Sequence, residues 1–325
     1  MATKKRPPTG RRSGAGPSGT RPPGGSARQA PRGSNRAARR RAATRGPSGL
    51  TRYGPWGAIG VVVLVVVVLV VVALNRHTQT AASGPAPKAV VDLMTRIPAS
   101  AYDQAGVPVS TAELNSPIRL PAGQPALTRD GKPEIVYIGA EYCPFCAAER
   151  WGMVAALSRF GTFSHLGQTQ SSSSDIYANT HTFSFYGSTY SSPYIVFTPV
   201  EIEGRSQGQP LQNPTAEQQA LINKYDTPQF VPGMQSNQSG SIPFLDAANT
   251  FIVSGATSAA LPQWLHGLSM AQIAREAVNP ATDVGKAVLG TANFLSAAIC
   301  EVTHGKPGSV CNSAGVKAAE AKLAK

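Results

Sequence analysis

The sequence predicts an α/β domain behind a single N-terminal apolar segment. Three observations carry that prediction. Ile135 to Ile138 is a β-branched, apolar run bounded by Asp130-Gly131 ahead and Gly139-Ala140 behind, the signature of a buried strand. Ala147 to Leu157 follows at once and is rich in good helix formers. Between Gly240 and Gly255 two short apolar runs flank Ala248-Asn249 and read as a β-hairpin, with helical stretches beyond it.

The ends differ sharply in character. The chain holds 325 residues, with 30 Lys and Arg against 17 Asp and Glu. Fourteen of the basic residues and none of the acidic ones lie at or before Arg52, so the basic charge belongs to the tail. Residues 1–52 carry Arg, Gly, Pro, Ser and Ala with almost no large apolar side chains, and are expected to be disordered. Their charge fits a signal retaining this end in the cytoplasm, adhesion to anionic lipid, or nucleic-acid binding. No aromatic residue is interleaved with the arginines before Tyr53, which weakens the last reading, and nucleic acid is not an expected partner.

Gly57 to Leu74 is a Val-dominated run of eighteen residues without a charge, and Tyr53 and Trp56 stand at one end of it. At ~1.5 Å per residue it spans roughly a ~30 Å hydrocarbon core. A cleaved signal peptide competes, with Ala81-Ala82-Ser83 a weak cleavage site. The long basic flank favours an uncleaved anchor over 53–75. That reading makes the chain a single-pass protein of the cell membrane. Its N-terminus is then cytoplasmic, and everything beyond a linker at 76–88 is extracytoplasmic. All four cysteines lie on that far side, which suits an oxidising compartment.

Within 89–325 the elements follow in order. Val90 to Thr95 reads as a short helix and Ala99 to Pro108 as a turn-rich approach. After the first strand and its helix, which Gly161 ends, His165 to Gln170, Thr180 to Tyr186 and Tyr194 to Ile202 read as strands, with Pro199 pushing the last toward an edge. Thr215 to Tyr225 reads as a capped helix. Residues 262–278 and 284–302 read as one helix each, and 316–325 as a short charged one.

The chemistry concentrates at Cys143-Pro144-Phe145-Cys146, between strand and helix. Pro144 suits the first helical turn, where its missing N–H is not needed. Cys143 then lies at a helix N-terminus, whose orphan N–H groups and dipole favour a thiolate, the species that attacks disulfides. Cys146 lies within one turn and can close a small ring. A structural disulfide or half a zinc site are the alternatives, but a structural zinc needs four ligands and none has suitable spacing. Cys300 and Cys311, with ten residues between them, read as a structural disulfide, the alternative being a second redox pair. His165, His181, His266 and His304 show no ligand spacing, Trp151 reads as a core residue, and Glu141 as a residue of the surface rim.

The ordered set of strand, CxxC, helix, Ile242-Pro243 and hairpin resembles the thioredoxin fold. That resemblance implies a cis bond before Pro243 and a backbone contact to substrate at Ile242. Gly139-Ala-Glu-Tyr-Cys-Pro-Phe-Cys-Ala-Ala-Glu-Arg-Trp151 resembles, more narrowly, the membrane-anchored proteins of domain-of-unknown-function family 929. Two features depart from the wider family. The position six before the first cysteine, often a buried acid that relays protons, is Tyr137. The 96 residues between Cys146 and Pro243 exceed the compact core, which implies an insertion at about 171–230 and, beyond the hairpin, a helical C-terminal extension.

The expectation is therefore a membrane-anchored thiol–disulfide oxidoreductase. Cys143 attacks, Cys146 resolves, Pro243 completes the site, and Ile242, Pro144 and Phe145 meet the substrate. Exported proteins with cysteines are the expected substrates, and a membrane redox partner is possible. No nucleotide, flavin, haem or metal is expected in the chain. A non-catalytic scaffold with a static disulfide at 143–146 is the reading from another class, and a metal-delivery protein a third.

Overall fold

The structure, a computed structural model, describes residues 83–323. The basic tail, the apolar segment and most of the linker lie outside the described residues. Among the described residues no helix is long and apolar enough to cross a membrane.

The chain opens with β1 (Gly84–Pro85), α1 (Lys88–Thr95), α2 (Ala99–Ala105) and the single turn α3 (Val109–Ala112). Strands β2 (Ile118–Arg119), β3 (Thr128–Arg129) and β4 (Lys132–Gly139) lead into α4 (Pro144–Leu157). Four more strands follow: β5 (Thr162–Ser164), β6 (Gly167–Gln170), β7 (His181–Ser184) and β8 (Thr189–Ser191). Then come β9 (Val196–Glu201), α5 (Ala216–Tyr225), β10 (Phe244–Ala247) and β11 (Phe251–Ser254). The end is helical, with α6 (Leu261–Leu265), α7 (Met270–Ala277), α8 (Asp283–Val302), α9 (Gly308–Cys311) and α10 (Ala314–Glu320).

The main sheet runs β2–β11–β10–β4, with neighbours antiparallel. β4 also pairs with β9, in parallel, and at its start with β3. The parallel pair is possible because α4 and the segment after it carry the chain back to the starting end of the sheet. β4 is buried from Glu134 onward, as a strand covered on both faces must be, and this explains its unbroken apolar run. Its alternation divides the core. Ile135 and Tyr137 join Leu245, Phe251 and the faces of α4 and α8. Val136 and Ile138 join Phe244, Ile252 and, from α5, Ile222 and Tyr225. Thr215 caps α5 through a reciprocal pair of bonds with Gln218.

Every residue of α4 except Phe145 is buried, so this helix lies inside the domain. α8 is its main partner. They approach closely at Gly152, where a Cβ would collide with the side chain of Thr291. The opposite flank of α4 meets β7: Trp151 Nε1 donates to the His181 carbonyl at 3.1 Å, Thr182 donates to the Ala147 carbonyl at 2.8 Å, and Trp151 sits edge-on to Phe183.

Several expectations require correction. The stretch 99–108 contains helix α2, anchored by the Tyr102 hydroxyl on the Ala155 carbonyl at 2.9 Å. The single helix expected over 262–278 is two helices, because Gly267 adopts a positive φ of 81° and Ser269 starts α7 with a capping box to Gln272. Within 171–230 lie β9, the parallel neighbour of β4, and α5, which covers the second face of the sheet. The strand expected from His165 starts at Gly167, after a positive φ at His165.

Candidate functional site

The turn between β4 and α4 places Cys143 at the N-cap, with extended backbone and its side chain accepting the Cys146 N–H at 3.3 Å. The Cys143 N–H in turn bonds to the Ala140 carbonyl at 3.3 Å, which shapes the turn. Both cysteines are free thiols. Cys143 keeps 7% of its surface and Cys146 none, so a partner can reach only the first. Their environments pull in opposite directions. The hydrogen bond from the Cys146 thiol, helped by backbone N–H groups and Arg150, holds Cys143 below the ordinary thiol range against the effect of burial. Burial, and then the bond to Cys143, push Cys146 well above it. Of the two sulfurs, the outer one is therefore the one that gives up its proton more readily.

Across from Cys143 lies the loop before β10. The Ile242–Pro243 peptide is cis, and the Cys143 thiol donates to the Ile242 carbonyl at 3.9 Å. Asp226, at the end of α5, fixes this loop from behind. Its carboxylate accepts the Ser241 N–H at 2.7 Å and its backbone carbonyl accepts the Gly240 N–H at 3.0 Å. On the far side, Pro243 accepts the Gly255 N–H at 2.9 Å.

Of the dipeptide between the cysteines, Pro144 is buried and Phe145 is 38% exposed. Phe145 meets Tyr177 edge-on with ring centroids 6.2 Å apart, and Tyr177 in turn lies 6.5 Å from the His266 ring. Ile176, beside Tyr177, is 73% exposed. The rim of the site is thus aromatic and apolar. Glu141 does not belong to it: only 5% of it is exposed, and its carboxylate accepts from Thr169 at 3.1 Å and Ser184 at 2.5 Å.

Beneath the cysteines is a charge the sequence reading did not single out. Arg150 follows Cys146 by four residues, on the same face of α4. It is fully buried and forks onto Glu201 of β9, with Nε to Oε1 at 2.8 Å and Nη2 to Oε2 at 2.6 Å. Nη2 also donates to the Ala140 carbonyl at 2.7 Å. Burial works against the Arg150 charge, and the Glu201 carboxylate more than offsets it, so the guanidinium stays charged. Tyr137 faces the same space. Burial holds its hydroxyl protonated, and that hydroxyl leans so closely over Gly139 that a Cβ there would collide with it. The guanidinium carbon stands 5.9 Å from the Tyr137 ring centroid. The clue in the sequence was the Glu149-Arg150 pair inside an otherwise small and apolar helix. Glu149 has a separate task, accepting the N–H and hydroxyl of Thr257 at 2.7 and 2.9 Å.

Cys300 and Cys311 are disulfide-bonded, joining the end of α8 to α9. A cleft of about 690 Å³ is lined by residues that include Lys132, Tyr194, His304 and Lys306 and contains neither Cys143 nor Cys146. Among the described residues no group of three or more His, Cys, Asp or Glu could hold a metal ion.

The family model described as Domain of unknown function (DUF929) matches residues 122–301, which span β3 to α8 and include both free cysteines and Pro243. No curated protein and no solved structure matches the chain.

Proposed function

The chain belongs to the DUF929 family, and we propose that it is a membrane-anchored, extracytoplasmic thiol–disulfide oxidoreductase with a thioredoxin-like domain. The observation that carries this reading is the placement of Cys143: a helix N-cap, a thiolate-favouring set of donors, and the Ile242 carbonyl 3.9 Å away beside a cis proline. The sheet order supports the thioredoxin-like reading. β4 and β9 are parallel and joined through the cysteine-bearing helix, and the β10–β11 hairpin lies antiparallel on the other side of β4. The anchor rests on the uncharged run Gly57 to Leu74 and the basic flank before it.

In the exchange, the Cys143 thiolate attacks a substrate disulfide and forms a mixed disulfide, and Cys146 attacks Cys143 to release the reduced substrate. The same steps in reverse give a disulfide to a substrate dithiol. The Ile242 backbone offers an extended segment a partner for strand addition. The aromatic rim at Phe145 and Tyr177 favours apolar residues near the substrate cysteine.

The test uses the full chain in detergent, equilibrated with reduced and oxidised glutathione and scored by mass after alkylation. The expected result is a two-electron transition at Cys143 and Cys146, with the Cys146→Ser variant trapping a mixed disulfide and Cys143→Ser trapping none. A 143–146 disulfide that persists below about −300 mV, as structural disulfides do, would point instead to a scaffold.

A further inference from the structure

The buried guanidinium bears on the direction of the reaction. Arg150 has one nitrogen, Nη1, that is buried and without a hydrogen-bond partner, and the Tyr137 hydroxyl beside it is in the same condition. A buried donor left unpaired is destabilising, and a charged one more so. Arg150 is tied to the Ala140 carbonyl, the same oxygen that accepts the Cys143 N–H, so its position under the turn is set by the backbone that carries the cysteines. At the position where a carboxylate would oppose a thiolate, the chain has the neutral Tyr137. Glu201 of β9 pairs with Arg150, and of these two charges Arg150 is the one that acts on both cysteines. The near charge felt by the sulfurs is therefore positive, and Arg150 attracts a thiolate at either cysteine. A disulfide is neutral and gains nothing from that charge. The reduced pair, which carries a thiolate, gains from it.

The geometry points to Arg150, held by Glu201, as the charge that favours the reduced pair and so makes this domain a donor of disulfides to substrate dithiols. This rests on the oxidoreductase reading and adds its direction. In the step, a substrate thiolate attacks Sγ of Cys143 and forms a mixed disulfide. The Cys143–Cys146 bond breaks, and its electron pair leaves on Cys146 beside Arg150, where the sulfur takes up a proton. A second substrate thiolate then attacks the substrate sulfur of the mixed disulfide and expels Cys143 as the thiolate. Two electrons pass from the substrate dithiol to the cysteine pair, and the substrate keeps the disulfide. A low-molecular-weight disulfide such as oxidised glutathione restores the pair by the same exchange. Arg150 touches no substrate and acts as a positioning residue of fixed charge.

Two variants test the idea from opposite sides, in the full chain equilibrated with glutathione buffers. Arg150→Met with Glu201→Leu removes both charges at similar volume, an exchange that buried pairs often tolerate. Its pair should become harder to reduce by about tenfold in the exchange constant, equivalent to about 30 mV. Glu201→Gln leaves the guanidinium without its counter-ion, and its pair should become easier to reduce. Opposite shifts are not what a loss of packing produces, and each variant reads the idea alone if the other fails to fold. The wild-type protein, oxidised, should convert a reduced dithiol peptide to its disulfide in one stoichiometric turnover. No shift in a folded variant, a shift of the wrong sign, or a wild-type pair that reduces the peptide disulfide instead would overturn the direction while leaving the oxidoreductase reading intact. A pair that does not exchange with glutathione at all would overturn both.

Discussion

The carboxylate of Asp226 holds the backbone N–H of Ser241 at 2.7 Å, one residue before the cis Ile242–Pro243 step. This bond connects the end of α5 to the carbonyl that faces Cys143. Asp226→Ala removes the acceptor and frees the loop. The expected result is a rate of mixed-disulfide formation lower by about 10- to 100-fold, since small misplacements of a reacting centre have effects of that size. Stability should fall by only about 1–3 kcal/mol, the usual effect of losing a buried partner. Stopped exchange with a disulfide peptide reads the first and denaturant unfolding the second. A rate unchanged in the variant would remove Asp226 from the site.

The two cysteines should respond differently to pH. Cys143 is held low chiefly by the hydrogen bond from the Cys146 thiol, whereas burial keeps Cys146 high. Alkylation of the reduced folded protein should modify Cys143 alone, with its half-maximal rate below the ~8.5 of an ordinary cysteine. Cys146 should react only after denaturation. Equal rates at the two positions would contradict the asymmetry.

Glu149 gives a pH dependence of stability. Burial pushes its carboxyl up to about 7, against the lowering effect of the two Thr257 bonds. Because the folded-state value lies above the unfolded one, the folded protein binds the extra proton between about 4.5 and 7, and stability falls as pH rises through that window. Glu149→Gln removes the proton and keeps an acceptor for Thr257. Its stability relative to wild type should rise with pH across the window, reaching a gain of about 3 kcal/mol by pH 8. Parallel denaturant series at several pH values measure it, and a difference independent of pH would refute the assignment.

The Cys300–Cys311 bond closes a loop of sequence separation 11 at the end of α8. On the chain-entropy account, replacing both cysteines by Ala should lower stability by about 3 kcal/mol. The glutathione equilibrium of Cys143 and Cys146 should not change. A shift in that equilibrium would mean that the two pairs exchange electrons.

Much of this architecture was legible along the chain, and for local reasons. A β-branched run announces β4, proline after the first cysteine announces the start of α4, and Thr215 announces the start of α5. The hairpin was readable because Ala248 and Asn249 mark its turn, where both adopt positive φ. The split between α6 and α7 was missed because an apolar periodicity continues through Gly267, and the break depends on one residue taking φ of 81°. The role of 171–230 was missed because counting residues against a compact core cannot tell an added segment from β9, whose partner lies 62 residues away in register at Glu134 and Val196.

By itself the sequence determined where the candidate site sits: two cysteines one turn apart, the first at the head of a helix, the second within reach of it. Those are properties of neighbours in the chain, set by backbone dihedrals and hydrogen bonds within a few residues. The tertiary structure alone decided what surrounds them. Arg150 and Glu201 lie 51 residues apart, Glu141 is buried by Thr169 and Ser184, and Asp226 reaches Ser241 across a loop. A charge in the middle of a helix is a solvated side chain or a buried fork depending on which strand the fold lays against it. That choice is made by long-range packing, where taking an ion out of water is compensated only by a partner brought from elsewhere in the chain.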